Sequence, residues 1–145
     1  MEIQLAVPGD FRKVRCFDSH ISSPRLADCI GNNRVYVLRD GGNIVGVLRY
    51  SLFWQTIPFL DLLFLDEAYR GRGHGRSLMA HWEAEMAKEG YSYVMLSTQE
   101  DETSKFFYEK LCYQPIGAFL PPDQEARELL YGKPLTPRQD SPLRR

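Results

Sequence analysis

The stretch Tyr69-Arg70-Gly71-Arg72-Gly73-His74-Gly75-Arg76 limits what this chain can fold into more than any other. It lies between an apolar run, Pro58 to Leu65, and a helical pattern, Ser77 to Glu89. The order is therefore strand, glycine-rich turn, helix start. Three glycines at alternate positions let the backbone curl with no Cβ in the way. Such a curl turns several N–H groups into one concavity at the positive end of the following helix, an anion site whose usual occupant is phosphate. Arg70, Arg72 and Arg76 bring formal positive charge to the same place. The other reading of these residues is a glycine-rich turn with solvated arginines.

Two familiar phosphate fingerprints fail here. The dinucleotide motif needs a third Gly three residues after the second, and counting from Gly71 and Gly73 that position is Arg76, which argues against a dinucleotide-dependent oxidoreductase. The P-loop needs Gly-Lys-Ser/Thr, and no such tripeptide is present. The formal net charge is only −1, so nothing calls for a nucleic acid or a membrane surface as partner. The positive charge is local and suits a small anionic ligand. No apolar run is long enough to span a bilayer and the N-terminus lacks the pattern of a signal peptide, so the expected location is the cytoplasm. Cys16, Cys29 and Cys112 show neither metal-like nor redox-like spacing and read as reduced, mostly buried thiols; no metal site is expected.

In chain order, Ile3 to Val7 reads as a short strand. Asp10 is placed to cap a helix running to about His20, and Ser22-Ser23-Pro24 opens a second, ended by Gly31-Asn32-Asn33. His20, at a helix end, is a polar terminus residue or, less simply, a ligand or base. Val35 to Arg39 and Ile44 to Trp54 form a hairpin around Asp40-Gly41-Gly42-Asn43. After Ile57-Pro58 interrupts, Phe59 to Leu65 is a strand. Leu78, Met79, Trp82 and Met86 mark one face of the helix that follows the loop, and Gly90 stops it. Tyr91 to Leu96 is a strand. Asp101 or Thr103 caps a helix carrying Phe106, Phe107, Tyr108 and Leu111. Tyr113 to Phe119 and Arg127 to Lys133 are the last strands. A length of 145 residues suits one domain, expected over residues 1–135, with residues 136–145 a Pro-, Arg- and Ser-rich disordered tail.

Three side chains stand out in this pass. Alternation sets Asp61 on the same face as Phe59, Leu63 and Leu65, and an Asp inside an apolar strand needs a partner or a raised pKa. It is either a substrate contact or general base, or an Asp salt-bridged to a neighbour such as Arg49. Phe53 and Trp54 either pack in the core or wall an acceptor pocket.

Arg70, Gly73 and Gly75 fit the pattern Arg/Gln-x-x-Gly-x-Gly/Ala and resemble the pyrophosphate loop of the GNAT superfamily of N-acetyltransferases. Phe107-Tyr108-Glu109-Lys110-Leu111-Cys112-Tyr113 resembles that family's Phe-Tyr-x-Lys-Leu-Gly-Phe/Tyr segment, with Cys112 in place of the usual Gly. The resemblance follows element order over Ile3 to Leu135 and is specific from Phe59 to Tyr113. It implies an α/β (α+β) fold: a mixed, strongly twisted sheet of six to seven strands flanked by helices. It also implies that acetyl-CoA is the donor, its pantetheine arm entering between two splayed parallel strands. The arm would pair with the backbones of Leu63, Phe64 and Leu65, and main-chain N–H groups from Gly71 through Arg72, Gly73, His74 and Gly75 to Arg76 would hold its pyrophosphate. Asp101 stands where the family often has a CoA-contacting Asn; a carboxylate accepts hydrogen bonds but donates none.

The implied reaction is direct attack of a primary amine on a thioester. Tyr108 is the implied general acid for the departing thiolate and a neighbour of the cofactor. Leu65 offers the N–H for the developing oxyanion. Asp61, Glu100, Asp101 or bulk water remove the amine's proton. The acceptor, a small-molecule or peptide amine, is not identified by these residues; the family also implies a homodimer as one candidate assembly. The competing reading is a non-catalytic acyl-CoA-binding or sensing module on the same fold; a purely structural protein, with the glycines as turn formers, is the third.

Overall fold

The structure is a computed structural model that describes residues 1–136. The tail expected over residues 136–145 lies, past Thr136, outside the described residues. The strands are β1 (Glu2–Leu5), β2 (Val35–Asp40), β3 (Asn43–Phe53), β4 (Ile57–Leu65), β5 (Tyr93–Gln99), β6 (Gln114–Phe119) and β7 (Glu128–Pro134). The helices are α1 (Phe11–Phe17), α2 (Ser23–Gly31), α3 (His74–Lys88) and α4 (Ser104–Lys110). The seven strands form one mixed sheet in the order β1-β2-β3-β4-β5-β7-β6. β4 and β5 run parallel, pairing Phe59 with Met95 and Leu60 with Leu96. The expected α/β architecture with six to seven strands is what the chain adopts.

The chain divides into two compact units. The first comprises Met1–Ser51 and Asp61–Ala84. Its core gathers Ala6, Val14, Leu26, Ile30, Val35, Val37, Ile44 and Val47. Asp40-Gly41-Gly42-Asn43 closes the β2–β3 hairpin, with Gly41 at φ 61°. β3 is buried on both faces from Ile44 to Tyr50. At Gly46 an added Cβ would stand 2.7 Å from Leu65 Cδ2 and 3.4 Å from Leu78 Cδ1. The missing side chain lets the end of β4 and the start of α3 settle on β3, which sets both ends of the glycine-rich loop. Leu78, Met79 and Trp82 are buried as their spacing required.

The second unit comprises Leu52–Leu60 and the chain from Glu85 onward. Here β5 takes β7 antiparallel, from Tyr93–Pro134 to Gln99–Glu128, and β7 takes β6 on its other edge. α3 ends in a Schellman turn: Gly90 at φ 103° donates to Ala87, and Tyr91 donates to Met86. Tyr91 is thus part of the cap, and β5 begins at Tyr93.

Several expectations give way. Pro58 does not interrupt; it lies buried as the second residue of β4, near the strand start where a proline is best tolerated. α3 starts at His74, inside the motif, three residues earlier than its apolar pattern. Asp10 does not cap α1 with its side chain; Oδ2 takes the Val7 N–H at 2.9 Å and Arg39 Nη2 at 2.7 Å. The cysteines are free but not mostly buried: Cys16 and Cys112 are exposed and Cys29 is half-buried. Cys29 alone of the three packs against the core of the first unit among the described residues.

Candidate active site

The first unit supplies the loop. Gly71 and Gly73 take φ of 71° and 87°, the left-handed conformation that their lack of a Cβ permits. Gly75 instead lies in the first turn of α3. No heavy atom lies within 4 Å of a Cβ built on Gly71 or Gly73, so the cradle is open. Ser77 N–H reaches Gly73 carbonyl at 3.1 Å, which leaves the N–H groups of His74, Gly75 and Arg76 at the free N-terminal end of a fifteen-residue helix. His74 Nε2 is buried without a partner among the described residues. An open cradle, a helix N-terminus and an orphaned ring nitrogen fit a phosphate-bearing ligand.

Arg70 and Arg72 are braced by the chain, whereas Arg76 is exposed in the first turn of α3. Arg70 Nε donates to the Leu65 carbonyl at 3.0 Å, and its guanidinium lies 5.2 Å over the Phe64 ring. Arg72 Nη1 donates to the Ala68 carbonyl at 3.1 Å and its guanidinium sits 5.3 Å over the Tyr69 ring. Tyr69 donates to Asp40 Oδ2 at 2.6 Å, and this bond pushes its phenol pKa up. Tyr69 thereby ties the 3₁₀ turn before the loop (Glu67–Tyr69) to the β2–β3 hairpin. Leu63 and Phe64 are half-buried, Phe64 packing against Phe17 with ring centroids 5.5 Å apart.

Asp61 belongs to an ion triad in the same unit. Arg49 Nε donates to Asp18 Oδ2 at 2.6 Å, and Arg49 Nη1 donates to Asp61 Oδ2 at 3.4 Å. Side-chain exposure rises from 0% at Asp18 through 7% at Arg49 to 25% at Asp61. Burial raises the Asp61 pKa, opposed by a hydrogen bond from Ser51 and by the charge of Arg49. The expected Asp61–Arg49 bridge is present, but it is the longer of two. Asp18 had no signature in the sequence: one carboxylate after a short amphipathic helix looks like a solvated loop residue until β3 brings Arg49 to it. His20 is exposed, its Nδ1 3.5 Å from Asp18 Oδ1.

In the second unit, Trp54 is 78% exposed and Phe53 38% exposed. Neither packs in the core. Trp54 and Gln55 turn the β3–β4 hairpin at φ 57° and 62°, with the Phe53 ring tilted against Trp54 at 4.8 Å and stacked on Phe59 at 6.3 Å. Two consecutive non-Gly residues in the left-handed region cost on the order of 1–2 kcal/mol each.

Tyr108 is on α4, half-buried, with ring centroids 5.1 Å from Phe107 and 6.0 Å from Tyr113. Burial, then the charge of Glu102, pushes its pKa up to about 12. Its proton therefore stays on across the working pH range. Asp101 is exposed in the turn before α4. Glu100 accepts the Arg127 N–H at 2.6 Å and the Arg127 Nε at 3.2 Å, which lowers its pKa and weakens it as a base. Among the described residues no group of three or more His, Cys, Asp or Glu could hold a metal ion, and no helix is long and apolar enough to cross a membrane.

A model of the acetyltransferase (GNAT) family matches residues 9–112, from the turn before α1 to the residue after Leu111. The N-alpha-acetyltransferase RimI of Mycobacterium tuberculosis is 29% identical over 120 residues, covering 81% of this chain and 70% of that protein. Among solved structures, the ribosomal-protein-S18-alanine N-acetyltransferase of Escherichia coli superposes with a TM-score of 0.79 at 17% identity, covering 96% of each chain. Ard1 from Thermoplasma volcanium does so with a TM-score of 0.81 at 19% identity, covering 92% of this chain and 97% of its own. At these identities the superpositions speak for the fold.

Proposed function

The chain belongs to the acetyltransferase (GNAT) family, and from that premise we propose that it moves an acetyl group from acetyl-CoA to a primary amine by direct attack. The observation that carries this reading is the loop: two glycines in the left-handed conformation open a cradle that runs straight into the N-terminus of α3. Main-chain N–H groups from Gly71 to Arg76 bind the pyrophosphate, with Arg70 and Arg72 adding charge while buttressing the loop. The backbones of Leu63 and Phe64 align the donor, and the Leu65 N–H receives the charge that develops on the acyl oxygen. Bound acetyl-CoA supplies an activated thioester.

Tyr108, kept protonated by burial, donates to the departing sulfur. Asp61 takes the role of acceptor contact and base, because its carboxyl holds a proton more tightly than an ordinary Asp whereas Glu100 holds one less tightly. The acceptor class we favour is a peptide α-amine, as the names of the Mycobacterium and Escherichia relatives describe for those proteins. An α-amine has a pKa of about 7.7–8.0 against about 10.4 for a lysine, so a carboxylate base suffices near neutrality. Phe53 and Trp54 offer the acceptor an exposed aromatic surface. Residues 1–135 work as one transferase domain in the cytoplasm.

The competing reading, an acyl-CoA sensor, is favoured by Asp101 standing where the family often has Asn. Mass spectrometry separates the two. Purified protein and acetyl-CoA are incubated with alanine-initiated peptides, free amino acids, polyamines and aminoglycosides. An acetylated peptide above the control without protein is expected. Tight acetyl-CoA binding with no product from any amine would favour the sensor.

A further inference from the structure

The ion triad holds two carboxylates and one guanidinium, and their arrangement is unequal. Arg49 meets Asp18 at 2.6 Å and Asp61 at 3.4 Å. Asp18 is fully buried, and a buried polar group needs a partner, here Arg49. The backbone holds it inward: Asp18 N–H donates to Val14, its carbonyl accepts from Arg15 Nη1 at 3.4 Å, and its Oδ1 accepts from the His20 N–H at 3.3 Å. Arg49 is therefore largely committed to Asp18. Asp61, the outermost member, holds Arg49 only at the longer distance and is the one carboxylate of the triad with an exposed side chain. The remaining polar and titratable groups near it are Ser51, which donates a hydrogen bond, the more distant Arg34, and the half-buried Cys29.

We propose that Asp18 is a positioning residue for acceptor selection: by holding Arg49 it leaves the Asp61 carboxylate free to receive an ammonium, so the protein selects acceptors that arrive as cations and rejects amines carrying their own carboxylate. The proposal rests on the transferase reading, because it takes the acceptor amine as the cation. It names the class more narrowly, as peptide α-amines or other cationic amines rather than free amino acids.

The test uses the whole protein with ¹³C-carboxyl-labelled aspartate and two probes, alaninamide and alanine, read at the Asp61 carboxyl carbon. Alaninamide should give a saturable shift, and alanine should bind more weakly. Asp18→Asn should weaken alaninamide by roughly tenfold, the size of one lost charge contact, because Arg49 then turns to Asp61. Removing that arginine as well, in the double variant Asp18→Asn with Arg49→Gln, should restore the binding. A purely structural role for Asp18 predicts no rescue. Equal binding of the two probes by the unmodified protein, unchanged alaninamide binding in Asp18→Asn, or a double variant as weak as the single would each overturn the proposal. Should Asp18→Asn not fold, the unmodified protein still answers. The Asp61 carboxyl should titrate above the ordinary 3.8, and a value below it would mean that Arg49 is committed to Asp61 and would overturn the proposal. Acetylation, followed separately by mass spectrometry, keeps the two readings apart. Rescue without any acetylated product sinks the transferase and leaves the triad standing, whereas product formation indifferent to Asp18 sinks the triad alone.

Discussion

The Tyr113 N–H donates to the Tyr108 carbonyl at 3.1 Å, and the two rings meet edge to face with centroids 6.0 Å apart. With Cys112 N–H donating to the Glu109 carbonyl at 3.0 Å, this is a Schellman turn closing α4, complete with the apolar contact that commonly accompanies it. The residue in the left-handed position is Cys112, at φ 72°. The proposed general acid is thus held at the end of a short helix by a cap that would favour Gly.

Cys112→Gly should stabilise the protein. Relief of the left-handed strain is worth about 1–2 kcal/mol, against about 0.4–1 kcal/mol of extra unfolded-chain entropy. A net gain of about 0.5–1 kcal/mol is expected in urea unfolding. A lower midpoint would show that the thiol makes a compensating contact.

Tyr108→Phe should lower turnover by about 10²–10⁴-fold, the usual contribution of a general acid, while leaving acetyl-CoA affinity intact. Because the phenol pKa is raised to about 12, the unmodified protein should show no loss of rate from Tyr108 ionisation up to about pH 11. An unchanged rate in the variant at saturating acetyl-CoA would remove Tyr108 from the mechanism.

Tyr69→Phe removes the bond to Asp40 but keeps the ring beneath Arg72 and beside His74. The loop should lose registry with the hairpin. Calorimetry should find acetyl-CoA binding about two- to fivefold weaker, a small effect because the bond is solvent-exposed. Equal affinities would mean that the glycines alone shape the cradle.

Asp61→Asn should trade stability against activity. Burial raises the carboxyl pKa above 3.8, so the native chain binds this proton more tightly than the unfolded one. The contribution to stability is full below the ordinary value and is lost as pH rises through the folded one. The variant should therefore be more stable than the parent at pH 7, a gain that vanishes below about pH 4, and should acetylate poorly. Denaturant titrations at the two pH values check this; a variant weaker at pH 7 would mean that the bond to Arg49 outweighs the burial.

Local pattern determined most of the elements. The alternate glycines, the apolar face Leu78–Met79–Trp82–Met86 and the stop at Gly90 depend on residues near one another in sequence, so spacing alone reveals them. Cys112 is legible for the same reason: a cap needs only the last turn of its own helix. The site was legible as a loop, a tyrosine and an odd aspartate. The Asp61–Arg49 pair was one of the two sequence readings, but that Arg49 is shared with Asp18, and held closer by it, was decided by β3, which brings together residues far apart along the chain. Tertiary placement likewise left Trp54 in solvent, because a hairpin turns there and an aromatic residue carries no local signal for that. Backbone conformation follows from short-range sterics, which a sequence records directly. Charge pairing and burial follow from which distant segments meet, and only the folded chain determines that.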